Sequence, residues 1–199
     1  PIVNFHNTED RFAKFLAALE ADKLGRAKEV QAEIQFVMDR KADCSVALTA
    51  LREGKLPLRV THNDTKLNNV LIDEATGEGI CIIDLDTTMP GLSIYDFGDS
   101  IRFGANHSAE DEKDLTKVNF DIELYKIYTR GFLEGAQGGL TDAELEYLPW
   151  GAKLMTLECG IRFLTDYLDG DNYFHIHYPE QNLDRCRTQF KLVADMEAQ

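Results

Sequence analysis

Two stretches of this sequence hold residue types whose spacing could do chemistry: Thr61-His62-Asn63-Asp64-Thr65-Lys66-Leu67-Asn68-Asn69, and Ile82-Ile83-Asp84-Leu85-Asp86. The first reads H-x-D-x-x-x-x-N, and the second is a hydrophobic run ending in Asp. A carboxylate, an amide five residues later and a second carboxylate at a strand end are the groups that phosphoryl transfer requires. That reaction asks for an aligned acceptor hydroxyl and for dispersed phosphate charge. Asp64 is placed to accept the hydroxyl proton. Asn69 and Asp84 offer hard oxygen ligands to Mg2+, which keeps several of its waters when bound. Lys66 either reaches the transferred phosphoryl group or stands as a solvated lysine. Asp86 is either a further metal ligand or an acceptor for backbone amides of the next turn. His62 is expected to hold the loop by packing and hydrogen bonding.

The elements around these residues must bring them together. The first sixty residues read as helices. Asn7 and Thr8 can cap one that carries Phe12, Phe15, Leu16 and Leu19 on one face and stops by Gly25. A second carries Val30, Ile34, Val37 and Met38, and a third runs from about Ser45 to Leu51, ending near Gly54 and Pro57. The period then changes. Leu58-Arg59-Val60 leads into the loop, Val70-Leu71-Ile72 reads as a short buried strand, residues 73–79 as a turn and Ile80 to Ile83 as a second strand. Such a hairpin folds Asp84 back towards Asp64 and Asn69. Helices resume from Asp121 to about Gly135. Thr141-Asp142-Ala143-Glu144 fits a capping box, with Pro149 interrupting or restarting the helix it opens. A long apolar helix with Leu154, Leu157, Ile161, Leu164 and Leu168 follows, and a last amphipathic helix with Leu183, Cys186, Phe190 and Val193 comes after Pro179. The expectation is one mostly helical α+β domain spanning 1–199, with an embedded hairpin.

Composition sets limits. Lys and Arg number 21 against 35 Asp and Glu, a net charge of −14, which repels nucleic acid and anionic membranes. ATP would need metal ions and local cations to approach. No run reaches the ~20 apolar residues of a membrane helix, no signal peptide is present, and a cytoplasmic location is expected. Cys44, Cys81, Cys159 and Cys186 form no C-x-x-C pair and read as reduced core thiols. His175 and His177 read as loop histidines rather than zinc ligands. Asp96, Asp99 and Arg102 read as an internal ion-pair network, and the acidic run 109–114 as a solvated helix start. Pro1 in place of Met suggests a chain cut from a longer protein.

These residues resemble the aminoglycoside phosphotransferase and choline kinase superfamily, whose usual loop is H-G-D-x-x-x-x-N; here Asn63 stands where glycine is common. A closer resemblance is to bacterial N-acetylhexosamine 1-kinases, running from about Pro57 to the end. It is carried by the loop, by Ile83-Asp84-Leu85-Asp86-Thr87-Thr88-Met89-Pro90, by Asp96-Phe97-Gly98-Asp99-Ser100-Ile101-Arg102, and by Ile161 to Leu168 continuing to Gly170-Asp171-Asn172-Tyr173-Phe174. The resemblance implies the C-terminal lobe of a protein-kinase-like fold, with the N-terminal lobe and its phosphate-clamping lysine missing. It implies ATP and Mg2+ as cofactors and the anomeric hydroxyl of an amino sugar as acceptor. Asp64 would be the base, Asn69 and Asp84 the metal ligands, and Thr87, Arg162 and Tyr173 sugar contacts. Arg162 could instead pair with Asp166 one helical turn on.

Three readings compete. One is the acceptor-side lobe of a sugar 1-kinase, inactive or very slow alone. Another is a kinase for choline, an amino alcohol or an aminoglycoside, marked by an aromatic cage or an acidic pocket. The last is a non-catalytic binding module of the same fold, which the presence of Asp64, Asn69 and Asp84 disfavours. ATP would be shared with the missing lobe. Neither nucleic acid nor a membrane is expected as partner, and the oligomeric state is left open.

Overall fold

The Asn7 side chain accepts the Asp10 N–H at 2.9 Å, satisfying one of the donors that every helix start leaves free. The computed structural model, which describes residues 2–199, carries this helix, α1, over Thr8–Ala21. Thr8, Phe12, Phe15 and Ala18 form its buried face, with Leu19 packed at the edge. Leu16 is exposed, because it lies about 100° around the helix from Phe15. For the same reason Ile34 and Val37 of α2 (Gln31–Asp39) are buried while Met38 is not. Helix α3 covers Val46–Arg52.

Four short strands follow: β1 (Arg59–Thr61), β2 (Val70–Ile72), β3 (Gly79–Ile82) and β4 (Met89–Gly91). β2 and β3 form the expected antiparallel hairpin, with Val70 opposite Ile82 and Leu71 opposite Cys81. Asp73 shapes its turn by accepting the Ala75 and Thr76 N–H groups. These strands are not buried, contrary to what their apolar residues suggest. Leu71, Ile72, Ile80 and Ile82 are all exposed, and Cys81 with them; among the described residues Cys44 and Cys186 are buried thiols and Cys159 packs partly buried against the core. β1 pairs antiparallel with β4, Thr61 opposite Met89. That pairing closes a loop holding every candidate catalytic group from Asp64 to Thr87.

Helix α4 (Ser93–Gly104) follows β4 at once, then α5 (Ile122–Ala136), α6 (Asp142–Asp169) and α7 (Gln181–Glu197). α4 went unread in the sequence, since no side chain caps its start and its buried face includes Ser93, Asp99 and Ser100. α6 is the axis of the molecule. One face packs on α1, α2 and α7 through Leu157, Ile161, Leu164 and Leu168. The opposite face packs on α3 and α4 through Leu148, Ala152 and Met155, as an all-round apolar helix must. Pro149 neither breaks nor restarts it, and the helix runs unbroken for 28 residues. The carbonyl that loses its partner belongs to Leu145, an exposed residue, so water can serve it.

The capping box at Thr141 and Glu144 is present in both directions. Glu144 also binds Arg59 of β1 through two bonds, at 3.0 and 2.6 Å, and accepts the Ser93 hydroxyl of α4 at 2.7 Å. Burial alone would raise its carboxyl pKa, but these donors hold it down at about 2. One carboxylate thus fixes the start of α6, the first strand of the site and the start of α4.

α4 crosses α6 at Gly98 and Gly151, where a Cβ on Gly98 would fall on the Gly151 carbonyl. Neither backbone can yield without separating the helices. Gly98→Ala is therefore expected to cost about 2–3 kcal/mol through overpacking, lowering Tm by roughly 4–12 °C at this chain length. Calorimetry would check it, and an unchanged Tm would mean that the crossing is not rigid.

Candidate active site

The loop after β1 is held from below by Asp96 of α4. Its two oxygens accept the backbone N–H groups of His62 at 2.8 Å and Asn63 at 2.7 Å. Burial nonetheless raises the Asp96 pKa. Asp96 is thus a clamp for the loop rather than part of an ion-pair network; only Asp99 and Arg102 pair, at 2.9 Å, with Arg102 also reaching Glu110. Thr65 donates to the Asp96 carbonyl and Ser100 to the Thr65 carbonyl, so α4 grips the loop on both sides of Asp64.

Asn63 has φ +66°, a conformation that favours glycine and that Asn tolerates better than most residues. Its side chain is fully used. Oδ1 accepts from the Thr61 hydroxyl, and Nδ2 donates to the carbonyls of Thr61 and Thr87. The residue that departs from the common H-G-D loop therefore ties β1 to the segment after Asp84.

His62 takes a defined tautomer. Its Nδ1 accepts the Asp64 N–H at 3.2 Å, so the proton is on Nε2, which donates to the Ile83 carbonyl at 3.0 Å. Ile83 N–H in turn donates to the Asn69 carbonyl at 2.9 Å. Two bonds to Ile83 thus draw the end of the hairpin, and Asp84 behind it, against the loop bearing Asp64 and Asn69. Asp84 has φ +62°, a strained conformation for a non-glycine residue that native structures keep where a side chain must be aimed.

Asp64 Oδ2 accepts from Lys66 Nζ at 2.9 Å and from Asn69 Nδ2 at 3.1 Å. The Asn69 amide nitrogen also donates to the Asp64 carbonyl. With its nitrogen so committed, Asn69 turns its Oδ1 away, and that oxygen accepts no hydrogen bond from the described residues. Burial disfavours the Lys66 ammonium, yet the Asp64 contact outweighs it and raises its pKa, so Lys66 carries charge at the loop. Thr87 donates its hydroxyl to the His62 carbonyl at 2.7 Å, a contact that positions the loop. Asp86 is exposed in the turn Leu85–Thr87 and accepts no hydrogen bond from the described residues, so it does not bind the amides of the next turn. Among the described residues no three His, Cys, Asp or Glu side chains gather as a metal site, and this includes the exposed rings of His175 and His177. A free amide oxygen and one or two exposed carboxylates suit a cation that retains most of its waters, as Mg2+ does.

A small cleft opens beside Asp64, lined also by His6, Asp99, Glu158 and Arg162. Arg162, on α6, forms no ion pair with Asp166. The Asp166 carboxylate instead accepts the N–H groups of Asn172, Tyr173 and Phe174 and the Asn182 amide. It folds the 172–174 loop over α6 and leaves Arg162 free, with its guanidinium 5.2 Å from the Phe174 ring and 5.8 Å from that of Tyr173. Tyr173 itself is exposed.

Sequence reading passed over His6 and Glu158. Glu158 is 1% exposed in the middle of α6, where its Oε1 lies 3.1 Å from His6 Nδ1 and its Oε2 accepts the Thr8 hydroxyl at 2.7 Å. His6 Nε2 lies 2.8 Å from the Asn63 carbonyl, one peptide before Asp64. Only the contrast of a Glu within an apolar helical run signalled this pair.

A helical body that gathers an aspartate, an amide oxygen and a second aspartate on a loop and hairpin has the arrangement of a phosphotransferase. Residues 4–131 match the sequence model of the Phosphotransferase enzyme family, APH, and the chain belongs to that family. The match contains α1 to α4, the loop, the hairpin and the first part of α5. Arg162 and Tyr173 lie beyond it, so family membership speaks to the chemistry more than to the acceptor.

Proposed function

We propose that this chain is the acceptor-binding and catalytic-loop part of an ATP-dependent kinase that phosphorylates an N-acetylhexosamine at its anomeric hydroxyl. The observation that carries this reading is the free guanidinium of Arg162 in the cleft that Asp64 lines. Beside the carboxylates of Asp64, Asp99 and Glu158, that guanidinium forms no ion pair among the described residues. It offers a fork of donors to hydroxyls or to an acetamide carbonyl. The rings of Tyr173 and Phe174 are faced by that same guanidinium and so make no cage for a second cation.

In this reading Asp64 accepts the proton of the acceptor hydroxyl and Lys66 screens the transferred phosphoryl group. Asn69 and Asp84, with Asp86 beside them, would hold Mg2+, which supplies charge neutralisation between the phosphates of ATP. Arg162 and Tyr173 orient the sugar, and Thr87 keeps the loop in register. These 199 residues contain no glycine-rich phosphate loop. The exposed apolar ladder of Val60, Leu71, Ile80, Ile82 and Leu85 is proposed to seat a nucleotide-clamping lobe, and the chain by itself to turn over very slowly.

Phosphorus NMR tests the assignment. The protein in its full-length form, with ATP and Mg2+, would be given N-acetylglucosamine, N-acetylgalactosamine, choline and an aminoglycoside in parallel. A sugar 1-phosphate signal is the expected outcome. Transfer to choline or the aminoglycoside alone would keep the chemistry and refute the acceptor.

A further inference from the structure

Among the described residues, Arg11, Arg130 and Arg162 are the arginines that have no ion-pair partner; the others pair with Asp or Glu. In a chain of net charge −14, carboxylates are abundant, so an unpaired guanidinium away from open solvent calls for an explanation. Arg130 is exposed on α5 and needs none. Arg11 and Arg162 line one cleft between α1 and α6, walled by Tyr173 and Phe174.

Arg11 is anchored there. One of its terminal nitrogens donates to the Phe5 carbonyl at 2.9 Å, while its Nε is buried with no acceptor. A buried donor without a partner is unfavourable, and its burial leaves the remaining terminal nitrogen of Arg11 to meet an incoming oxygen. Arg162 takes part in no hydrogen bond or ion pair among the described residues and is held by the two rings. The other charges around this cleft are already answered. Lys14 pairs with Asp10 and Asp169 with Lys23. Both oxygens of Asp166 are taken by N–H donors. What remains is the free fork of Arg162 and the unused terminal nitrogen of Arg11, donors that a carboxylate or phosphate meets through charge-assisted bonds.

We propose that Arg11 and Arg162 form an oxyanion-binding subsite that takes a phosphate or carboxylate group. Arg162 also lines the Asp64 cleft, so the subsite adjoins the place where the acceptor is bound; in that placement alone the inference rests on the reading above. The group is either a substituent of the reacting molecule or a free oxyanion that occupies the subsite beside it.

The test follows the side-chain Nε–H signals of Arg11 and Arg162 by NMR while inorganic phosphate is titrated into the chain. Both signals are expected to shift together and to saturate. Arg11→Gln should weaken phosphate binding about ten- to a hundredfold, the loss of one charge-assisted bonding group, and Arg130→Gln should leave it unchanged. Arg162→Lys keeps the charge over the rings and loses the fork, so it should weaken binding while the fold persists. An N-acetylhexosamine 1-phosphate titrated in parallel separates the two sources. Tighter binding than inorganic phosphate, lost in Arg11→Gln, assigns the anion to the reacting molecule, and equal binding assigns a free oxyanion. No shift at either guanidinium, or equal weakening by Arg130→Gln, overturns the site. Phosphate binding needs no turnover, so a failed sugar assay and a failed subsite are separate results.

Discussion

Replacing Asp64 by Asn is expected to lower kcat by about 10²–10⁴-fold, the usual contribution of a positioned general base, with the acceptor KM changed far less. The expectation follows from how much of the structure exists to place this one carboxylate. Asp96 clamps the two peptides before it, Ser100 the carbonyl after it, and His62 its own N–H. Lys66 and Asn69 then fix Oδ2. A carboxamide keeps an oxygen for those two donors, so the fold and the acceptor contacts survive. What it loses is the lone pair that takes the hydroxyl proton. The measurement is a steady-state assay on the full-length protein, with Tm as control. A kcat within tenfold of the parent at equal Tm would place the base elsewhere.

The loop and hairpin were legible because their signals are local. Asp73, Gly77 and Gly79 punctuate two β-rich runs, and the spacing from Asp64 to Asn69 lies within a single loop. The same holds for the capping box, where Thr141 and Glu144 are three residues apart. What stayed hidden depends on distant partners. Thr61 and Met89 pair across 28 residues in strands of three, too short to show a period. The start of α4 has no capping side chain, since Ser93 is spent on Glu144, 51 residues away. Pro149 misled because its effect depends on what lies against the freed carbonyl. Helical spacing offers Asp166 as a rival partner for Arg162, but the 172–174 loop gives it three N–H donors in place of one guanidinium. The burial of the hairpin was misjudged on the same ground, as apolar composition states a need for cover without saying where the cover is.

The pair His6–Glu158 carries the other large effect, and its sign depends on the substitution. Both ring nitrogens of His6 face acceptors, the Glu158 carboxylate and the Asn63 carbonyl, so both must donate and the ring is an imidazolium. Burial opposes that charge, but the bond to Glu158 outweighs it, aided by the nearby charge of Asp99, and raises the His6 pKa above 6.5. Burial would likewise raise Glu158, yet His6 and the Thr8 hydroxyl hold it below its ordinary 4.5. The stabilisation from His6 is thus complete below pH 6.5 and is lost as pH rises through its folded pKa. That from Glu158 is present above pH 4.5 and is lost as pH falls through its lowered one. Glu158→Ala strands a buried partner and is expected to cost about 3–5 kcal/mol, roughly 6–20 °C in Tm. Glu158→Gln should cost far less. Its amide can donate to Nδ1 of a neutral His6, its oxygen can still accept from Thr8, and Nε2–H still reaches Asn63. A neutral buried histidine reverses the linkage, so the Gln variant should gain stability from pH 6 to 8 where the parent loses it. Urea unfolding of the two across that range decides it. Parallel pH profiles would show that His6 is neutral in the parent, and the catalytic loop would then owe nothing to a buried charge.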